Sequence, residues 1–414
     1  MKSARSHGTL TPLAEALAHV RALALPLPSE EVSLRDAWGR ILAEEVRALR
    51  DLPSDDVSMM DGYALLAADS AGPLRVVYEV KAGDGPAPAP LGAGETARIF
   101  TGAPVPAGAD CVVMQEHARR DGDRLEIAPE HAPRAGQHLR RRGEEVRRGS
   151  SVLPVGLALG GADLSLAAGS CGPVVRVHAR PRVAILPTGD ELVPLGTTPP
   201  PGKLVESNTL SLGPLCREAG ALPLVLAQAG DEVGAIAAAL AGAPADVLVT
   251  TGGASVGDHD HARAALERLG GRLVFHSVAI RPGKPVLFGT AAPLPGRDRP
   301  RLVFGLPGNP AAATLGFELF VRLALRLLQG DAQPERTLAR AVLRAPLSRV
   351  PGLTFFPRGR AFLEGSRLCF QPGGQQSSMQ IASWSQVNAV AQLPPGEGRL
   401  EPGDEVEVRL LGPL

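Results

Sequence analysis

The chain has 414 residues, enough for two to four domains, and its 44% hydrophobic and 21% charged residues are a globular balance that excludes a disordered chain. Lys plus Arg and Asp plus Glu number 43 each, so the formal net charge is zero, which argues against a general nucleic-acid or membrane-surface binder. Cys111, Cys171, Cys216 and Cys369 stand far apart with no C-x-x-C pair, no apolar leader follows Met1, and the apolar run Val152 to Ala168 is broken by Pro154, glycines and Asp163; a reducing, cytoplasmic setting without zinc, disulfides or a membrane span is expected.

Thr11-Pro12 followed by Leu13, Leu17, Val20 and Leu23 predicts an N-capped amphipathic helix, and Ser33 to Leu42 a second, short one. From Leu52 to about Val152 the texture is β-rich: strand-like Leu74–Val80, Thr96–Phe100, Cys111–Met114 and Leu125–Ile127 alternate with Gly/Pro turns. Arg182 to Gln329 alternates strands with helices. The strand-like runs are Arg182–Leu186, Asp246–Val249, Val274–Ile280 and Arg301–Phe304; the helical ones are Asn208–Glu218, Asp231–Leu240, His261–Leu269 and Ala311–Leu328. After Pro334 the pattern returns to β at Leu338–Leu343, Thr354–Phe356, Leu368–Phe370, Ala389–Ala391 and Glu405–Leu410, which predicts a small barrel or sandwich. Pro86 to Pro90 and Pro199 to Pro201 read as stiff loops.

Three strand ends in the α/β segment run into glycine-bearing turns. They are Pro187-Thr188-Gly189-Asp190-Glu191, Thr250-Thr251-Gly252-Gly253-Ala254-Ser255-Val256-Gly257-Asp258-His259-Asp260, and Gly305-Leu306-Pro307-Gly308-Asn309-Pro310. Glycines let a backbone approach an anionic ligand, a helix N-terminus supplies N–H donors, and carboxylates can hold a hard divalent cation. Such turns at the carboxyl ends of parallel strands are the layout of a doubly wound sheet, whose ligand lies outside those ends. Asn309 and Pro310 suit the N-cap and N1 positions. A tight turn with an aspartate N-cap is the plainer alternative for the second turn. Arg281-Pro282-Gly283-Lys284-Pro285 fixes two cations in a stiff turn suited to an oxyanion. Asp61-Gly62 reads by default as a plain turn, and Arg140-Arg141-Arg142 with Arg147-Arg148 around Glu144-Glu145 as a self-compensating solvated loop. His259 and His261, at i and i+2, would point apart on a helix and do not read as a metal pair.

Eight motifs in chain order carry a resemblance: Ser58-x-Met60-Asp61-Gly62-Tyr63-Ala64, Thr101-Gly102-Ala103-x-Val105-Pro106-x-Gly108-Ala109-Asp110, Arg140-Arg141-x-Gly143-Glu144, Pro187 to Leu192, Glu206-Ser207-Asn208, Thr250 to Asp260, Pro282-Gly283-Lys284-Pro285 and Gly305 to Pro310. The set, from about Leu10 to Leu410, resembles the molybdopterin molybdenumtransferase (MoeA) family, related to the E domain of gephyrin. The C-terminal segment with Gln375 to Met379 and Ser383 matches its pattern only loosely; Arg281 stands where many members have Lys, and Glu145 where some have Asp.

The resemblance implies a multidomain α/β plus β fold in an elongated, homodimeric subunit. Its parts are a linker domain (29–50 and 146–178), a β-rich inserted domain (51–145), a central doubly wound molybdopterin-binding domain (179–330, with helix 9–25 packed on it) and a C-terminal β-barrel (331–414). It implies insertion of molybdate into adenylylated molybdopterin with release of AMP and with Mg²⁺ as the metal, in the cytoplasm, with a molybdopterin adenylyltransferase as a candidate partner. The catalytic expectation is Asp61, Glu191, Asp231, Arg281 and Lys284, with Glu191, Asp231 and Asp61 as metal carboxylates, Asp61 acting across the dimer interface. Thr101, Arg140, Thr188, Gly189, Asp190, Ser207, Asn208 and Ser383 are expected to bind the pterin substrate. Thr251, Gly252, Gly253, Ser255 and Gly257 would cradle its phosphate, Asp260 would hold pterin or metal, and Pro307, Asn309 and Pro310 would shape the wall. Two rival functions are adenylyl transfer to molybdopterin, which needs only the α/β unit, and a non-enzymatic gephyrin-like scaffold.

Overall fold

The computed structural model describes residues 10–253, 261–374 and 376–414 and divides the chain into two compact units. One holds Val177–Leu414 with Gly39–Ala43 and the N-terminal segment through Glu30; the other holds Glu31–Trp38 and Glu44–Arg176. In the first unit, α1 (Leu13–Leu23) buries Ala16 and Val20, four residues apart on one face, in a cluster with Val183, Ile185, Val247 and Val249. Thr11 does not cap this helix: it bridges Val278, and the helix begins after Pro12 with no side-chain cap.

The expected helix over Ser33 to Leu42 shrinks to one 3₁₀ turn, Leu34–Asp36, whose first turn is closed by Ser33 Oγ accepting from Arg35 N at 3.2 Å. Gly39, at φ +69°, halts right-handed winding, and Leu42 continues in extended backbone as a bridge partner of Val177.

The second unit is built on a six-stranded sheet of β1 (Gly62–Leu65), β2 (Leu74–Val80), β3 (Glu95–Ile99), β4 (Cys111–Met114), β5 (Ala118–Asp121) and β6 (Arg124–Ile127). Its order is β4-β1-β3-β2-β6-β5, antiparallel except for the parallel pair β2 and β3. The period of two sends Tyr63, Leu65, Cys111 and Val113 into one buried cluster and Ala64 and Val112 into another, so both faces are covered. A helix that the glycines hide from a sequence reading, α2 (Gly161–Ser170), starts where Asp163 Oδ2 accepts from Gly160 N at 2.8 Å.

Back in the first unit, β7 (Arg182–Pro187), α3 (Asn208–Glu218), β8 (Leu222–Val225), α4 (Val233–Gly242), β9 (Val247–Thr251), α5 (His261–Arg268), β10 (Arg272–Phe275), β11 (Leu287–Ala291) and β12 (Arg301–Leu306) precede α6 (Pro310–Gly316) and α7 (Arg322–Leu328). The sheet order is β8-β7-β9-β12-β11-β10, parallel from β8 through β12 and antiparallel at β11 and β10. The long helix expected over Ala311 to Leu328 is continuous but winds as a π-turn at Phe317–Val321. The expected strand Val274 to Ile280 is broken: β10 ends at Phe275, and Ile280–Arg281 instead pairs in parallel with Thr354–Phe355.

The chain ends in a closed barrel of β13 (Leu338–Leu343), β14 (Arg358–Glu364), β15 (Arg367–Pro372), β16 (Ala389–Ala391) and β17 (Glu405–Leu410), ordered β13-β15-β14-β16-β17 with β17 returning to β13. A barrel, rather than a sandwich, removes both sheet edges. Among the described residues no helix is long and apolar enough to cross a membrane.

Candidate functional site

Because β9 pairs with β7 on one side and β12 on the other, the turns after these three strands lie side by side at one end of the sheet. Thr188 N donates to Thr251 O at 2.9 Å and Gly252 N to Leu306 O at 3.1 Å, which ties the three turns together. Gly252 sits at φ +98°, and a Cβ there would stand 2.3 Å from the Thr188 carbonyl oxygen, so only glycine fits.

These turns border a cavity of about 620 Å³. Of the expected residues, Thr188, Glu191, Ser207, Asn208, Thr251, Gly252, Gly253, Pro307, Asn309 and Pro310 line it. In its wall, Asn208 Nδ2 donates to Gly308 O at 2.9 Å, while Asn208 Oδ1 and the Thr251 hydroxyl are buried and lack a hydrogen-bond partner among the described residues. Pro285, Pro307 and Asn309 also border a second cavity of about 550 Å³ that carries Arg281 and Lys284. The Arg281 guanidinium lies 5.5 Å from the Phe355 ring centroid, a cation–π contact that orients it. The short pairing of Ile280–Arg281 with Thr354–Phe355 sets this geometry.

Asp190 and Asp231 occupy neighbouring turns and brace each other: Asp231 N donates to Asp190 Oδ1 at 3.2 Å and Asp190 N to Asp231 Oδ2 at 3.4 Å. Neither lines the cavity, whereas Glu191 does. The Glu191 carboxylate lies over Gly189, where a Cβ would come within 2.4 Å of it. Among the described residues no three His, Cys, Asp or Glu side chains converge as a self-sufficient metal site. Ser383 lines neither cavity, and its hydroxyl donates to Gln380 O at 2.5 Å within its own turn. Ser255, Gly257, Asp260 and His259 lie outside the described residues.

Asp61, Thr101 and Arg140 belong to the other unit. Asp61 Oδ1 accepts from the Thr101 amide and from the Thr101 hydroxyl, each at 2.8 Å. The Thr101 amide, then its hydroxyl, then the nearby Arg98 charge hold the Asp61 carboxyl below its usual range. The arginine run is self-compensated only in part: Arg140 pairs with Glu145 of the same loop, whereas Arg141 pairs with Asp56 at 2.6 Å and Arg142 with Asp51 at 2.6 Å, both from a segment more than eighty residues earlier.

Sequence reasoning missed several wall residues. Glu206, Pro285 and Gly308 stand inside motifs it had quoted, and only their roles were passed over. Gln376, Ser377 and Ser378 line the basic cavity from the loosely matching segment. Met379, at the end of the same segment and three-quarters exposed, lines the larger cavity.

An open sheet with a cleft outside its parallel carboxyl ends is the small-molecule site of a doubly wound α/β protein. Three family profiles match the chain: "MoeA N-terminal region (domain I and II)" over residues 11–172, "probable molybdopterin binding domain" over 184–327 and "MoeA C-terminal region (domain IV)" over 340–411. A molybdopterin molybdenumtransferase of Bacillus subtilis is 33% identical over 97% of this chain and 94% of its own length. One of Nostoc sp. is 37% identical over 81% of this chain and 76% of its own. The crystal structure of a molybdopterin biosynthesis moeA protein from Pyrococcus horikoshii superposes with a TM-score of 0.82 at 29% identity, covering 98% of this chain and all of that one. The chain belongs to the molybdopterin molybdenumtransferase family, transferases of molybdenum cofactor biosynthesis.

Proposed function

We propose that this chain inserts molybdate into adenylylated molybdopterin and releases AMP, as a Mg²⁺-dependent cytoplasmic homodimer supplied by a molybdopterin adenylyltransferase. The observation that carries this reading is the pair of cavities sharing Pro285, Pro307 and Asn309: one walled by glycine turns, the other holding Arg281 and Lys284. The first suits the pterin and its phosphate, because the glycine turn at Gly252 and Gly253 lets backbone amides come close to an anion. The second suits a tetrahedral oxyanion, which a guanidinium and an ammonium neutralise through charge-assisted hydrogen bonds. A shared wall brings molybdate beside the pterin, and this proximity removes much of the entropic barrier to their reaction.

Mg²⁺ is bound by one or two carboxylates together with substrate phosphates more often than by an all-protein cage. Glu191 on the cavity wall, with Asp231 in the braced pair beside its turn, fits that role. Bound there, the ion would offset charge developing as the pyrophosphate bond breaks. Asp61, kept ionised by Thr101, is the third carboxylate assigned to the reaction. Adenylyl transfer is the weaker reading, because the relatives match across all three profiled regions and not the α/β segment alone.

The test is to incubate the purified protein with adenylylated molybdopterin and Mg²⁺, with and without molybdate, and to follow AMP. Release that depends on molybdate supports the proposal. Transfer of AMP onto molybdopterin, or nucleotide turnover indifferent to molybdate, refutes it.

A further inference from the structure

Arg98 enters the site above only as a charge near Asp61, yet it meets the elements that fix Asp61 in place. Because β1 runs antiparallel to both β3 and β4, the start of β1 lies beside the ends of its two neighbours. Asp61 directly precedes β1, Gln115 directly follows β4, and Thr101 comes two residues after β3. Arg98, on β3, stands opposite Tyr63 of β1. Its Nη1 donates to Gly62 O at 2.8 Å and its Nη2 to Gln115 Oε1 at 2.5 Å. The guanidinium carbon lies 5.1 Å from the Tyr63 ring centroid and 4.6 Å from that of Phe100, both cation–π distances.

These partners border Asp61 or the groups that bond it. Gly62 follows Asp61 in the chain, and Tyr63 comes next. Phe100 precedes Thr101, whose amide and hydroxyl each donate to Asp61 Oδ1 at 2.8 Å. Gln115 N donates to Asp61 O at 3.1 Å. Both bonds from Arg98 go to neutral oxygens, so the guanidinium works as a planar brace across three strand ends and not as one half of an ion pair. Lysine, a point charge on a flexible stem, matches neither the fork nor the stacking.

We propose that Arg98 is a positioning residue for Asp61: its fork and its stacked faces lock the three strand ends together, so that the Asp61 carboxylate is presented in one orientation. The inference rests on the role given to Asp61 under the proposed function and adds to it a residue that acts only through that carboxylate. Groups that orient a working carboxylate in this way typically matter about 10–100-fold in activity or metal affinity.

The test is a double-substitution cycle on the intact protein, read as AMP release from adenylylated molybdopterin with molybdate and Mg²⁺. Arg98→Lys should lower kcat about 10–100-fold with little change in KM for the pterin substrate, while a circular dichroism spectrum confirms folding. Introduced beside Asp61→Asn, the same substitution should add no further loss, because its effect passes through a carboxylate that is already gone. A crystal structure of Arg98→Lys should show the Asp61 carboxylate off one or both of its Thr101 donors. If Arg98→Lys does not fold, Gln115→Leu, which removes one of the two oxygens that hold the guanidinium, replaces it in both measurements, with a smaller loss of the same kind. Unchanged kcat, losses that multiply in the double variant, or an Asp61 carboxylate still seated on Thr101 overturns the proposal. Near-normal release in Asp61→Asn alone overturns the role of Asp61 itself, and this inference with it.

Discussion

Lys284 is held by its backbone as much as by its neighbours: its carbonyl accepts from Val278 N at 2.9 Å and from Val286 N at 3.1 Å, which leaves the ammonium as the adaptable part of the turn. If that ammonium binds the oxyanion, Lys284→Ala removes one charge-assisted bond. Molybdate affinity should then fall about ten- to hundredfold, the equivalent of roughly 1.5–3 kcal/mol, while the melting temperature stays unchanged. Calorimetric titration with molybdate checks this, and an unaltered affinity would remove Lys284 from the site. Asp61 is different in kind, because its carboxylate is organised by Thr101 and is exposed rather than buried. Asp61→Asn keeps the shape and one acceptor oxygen but loses the charge. It should leave folding intact and cut cofactor formation by at least tenfold; near-normal AMP release in the variant would return Asp61 to the status of a turn residue.

At the scale of elements, the site rests on how closely three strand ends approach. Gly252→Ala would push a methyl onto the Thr188 carbonyl at 2.3 Å from a φ of +98°, so backbone and neighbour must both yield. A loss of about 1–3 kcal/mol is expected from the strain alone, with pterin binding lost more steeply than stability. A variant as stable and active as the parent would show that the turn has slack. The same turns show what the sequence discloses and what it hides. The parallel strands β7, β9 and β12 were legible because each is a continuous apolar run ending in glycine, and ten of the residues expected at their ends and nearby line one cavity. The antiparallel strand β11 and the edge strand β8 were not, since neither is followed by such a turn and β8 leaves Leu222, Leu224 and Val225 partly exposed. The break after Phe275 is equally silent in the sequence. It arises because Ile280–Arg281 pairs with Thr354–Phe355, some seventy residues on, and that distant pairing is also what lays Arg281 on Phe355. Local propensity cannot anticipate a partner supplied by tertiary structure.

Across the whole molecule, the carboxylates that depend on ionisation are unevenly spread. Among the described residues, Glu45, Asp51, Asp56, Asp61 and Glu116 of the second unit are held below their ordinary range, against Glu232 alone in the first. The causes are mostly bonds that close loops: the Arg148 amide, then the Arg142 side chain, on Asp51, and the Arg142 amide, then the Arg141 side chain, on Asp56. A carboxyl whose folded pKa lies below its unfolded value near 4 contributes stability that is complete above about pH 5, and loses it as pH falls through the folded value. Exposure screens the Coulombic share, whereas the backbone bonds survive added salt. Acidification should therefore loosen residues 44–176 before residues 177–414. Hydrogen exchange followed from pH 6 to pH 3 should show the second unit losing protection first, and Asp56→Asn should narrow the gap, because the variant has no charge left to lose. Simultaneous loss in both units, or earlier loss in the α/β sheet, would mean that acid stability is set by groups other than these loop carboxylates.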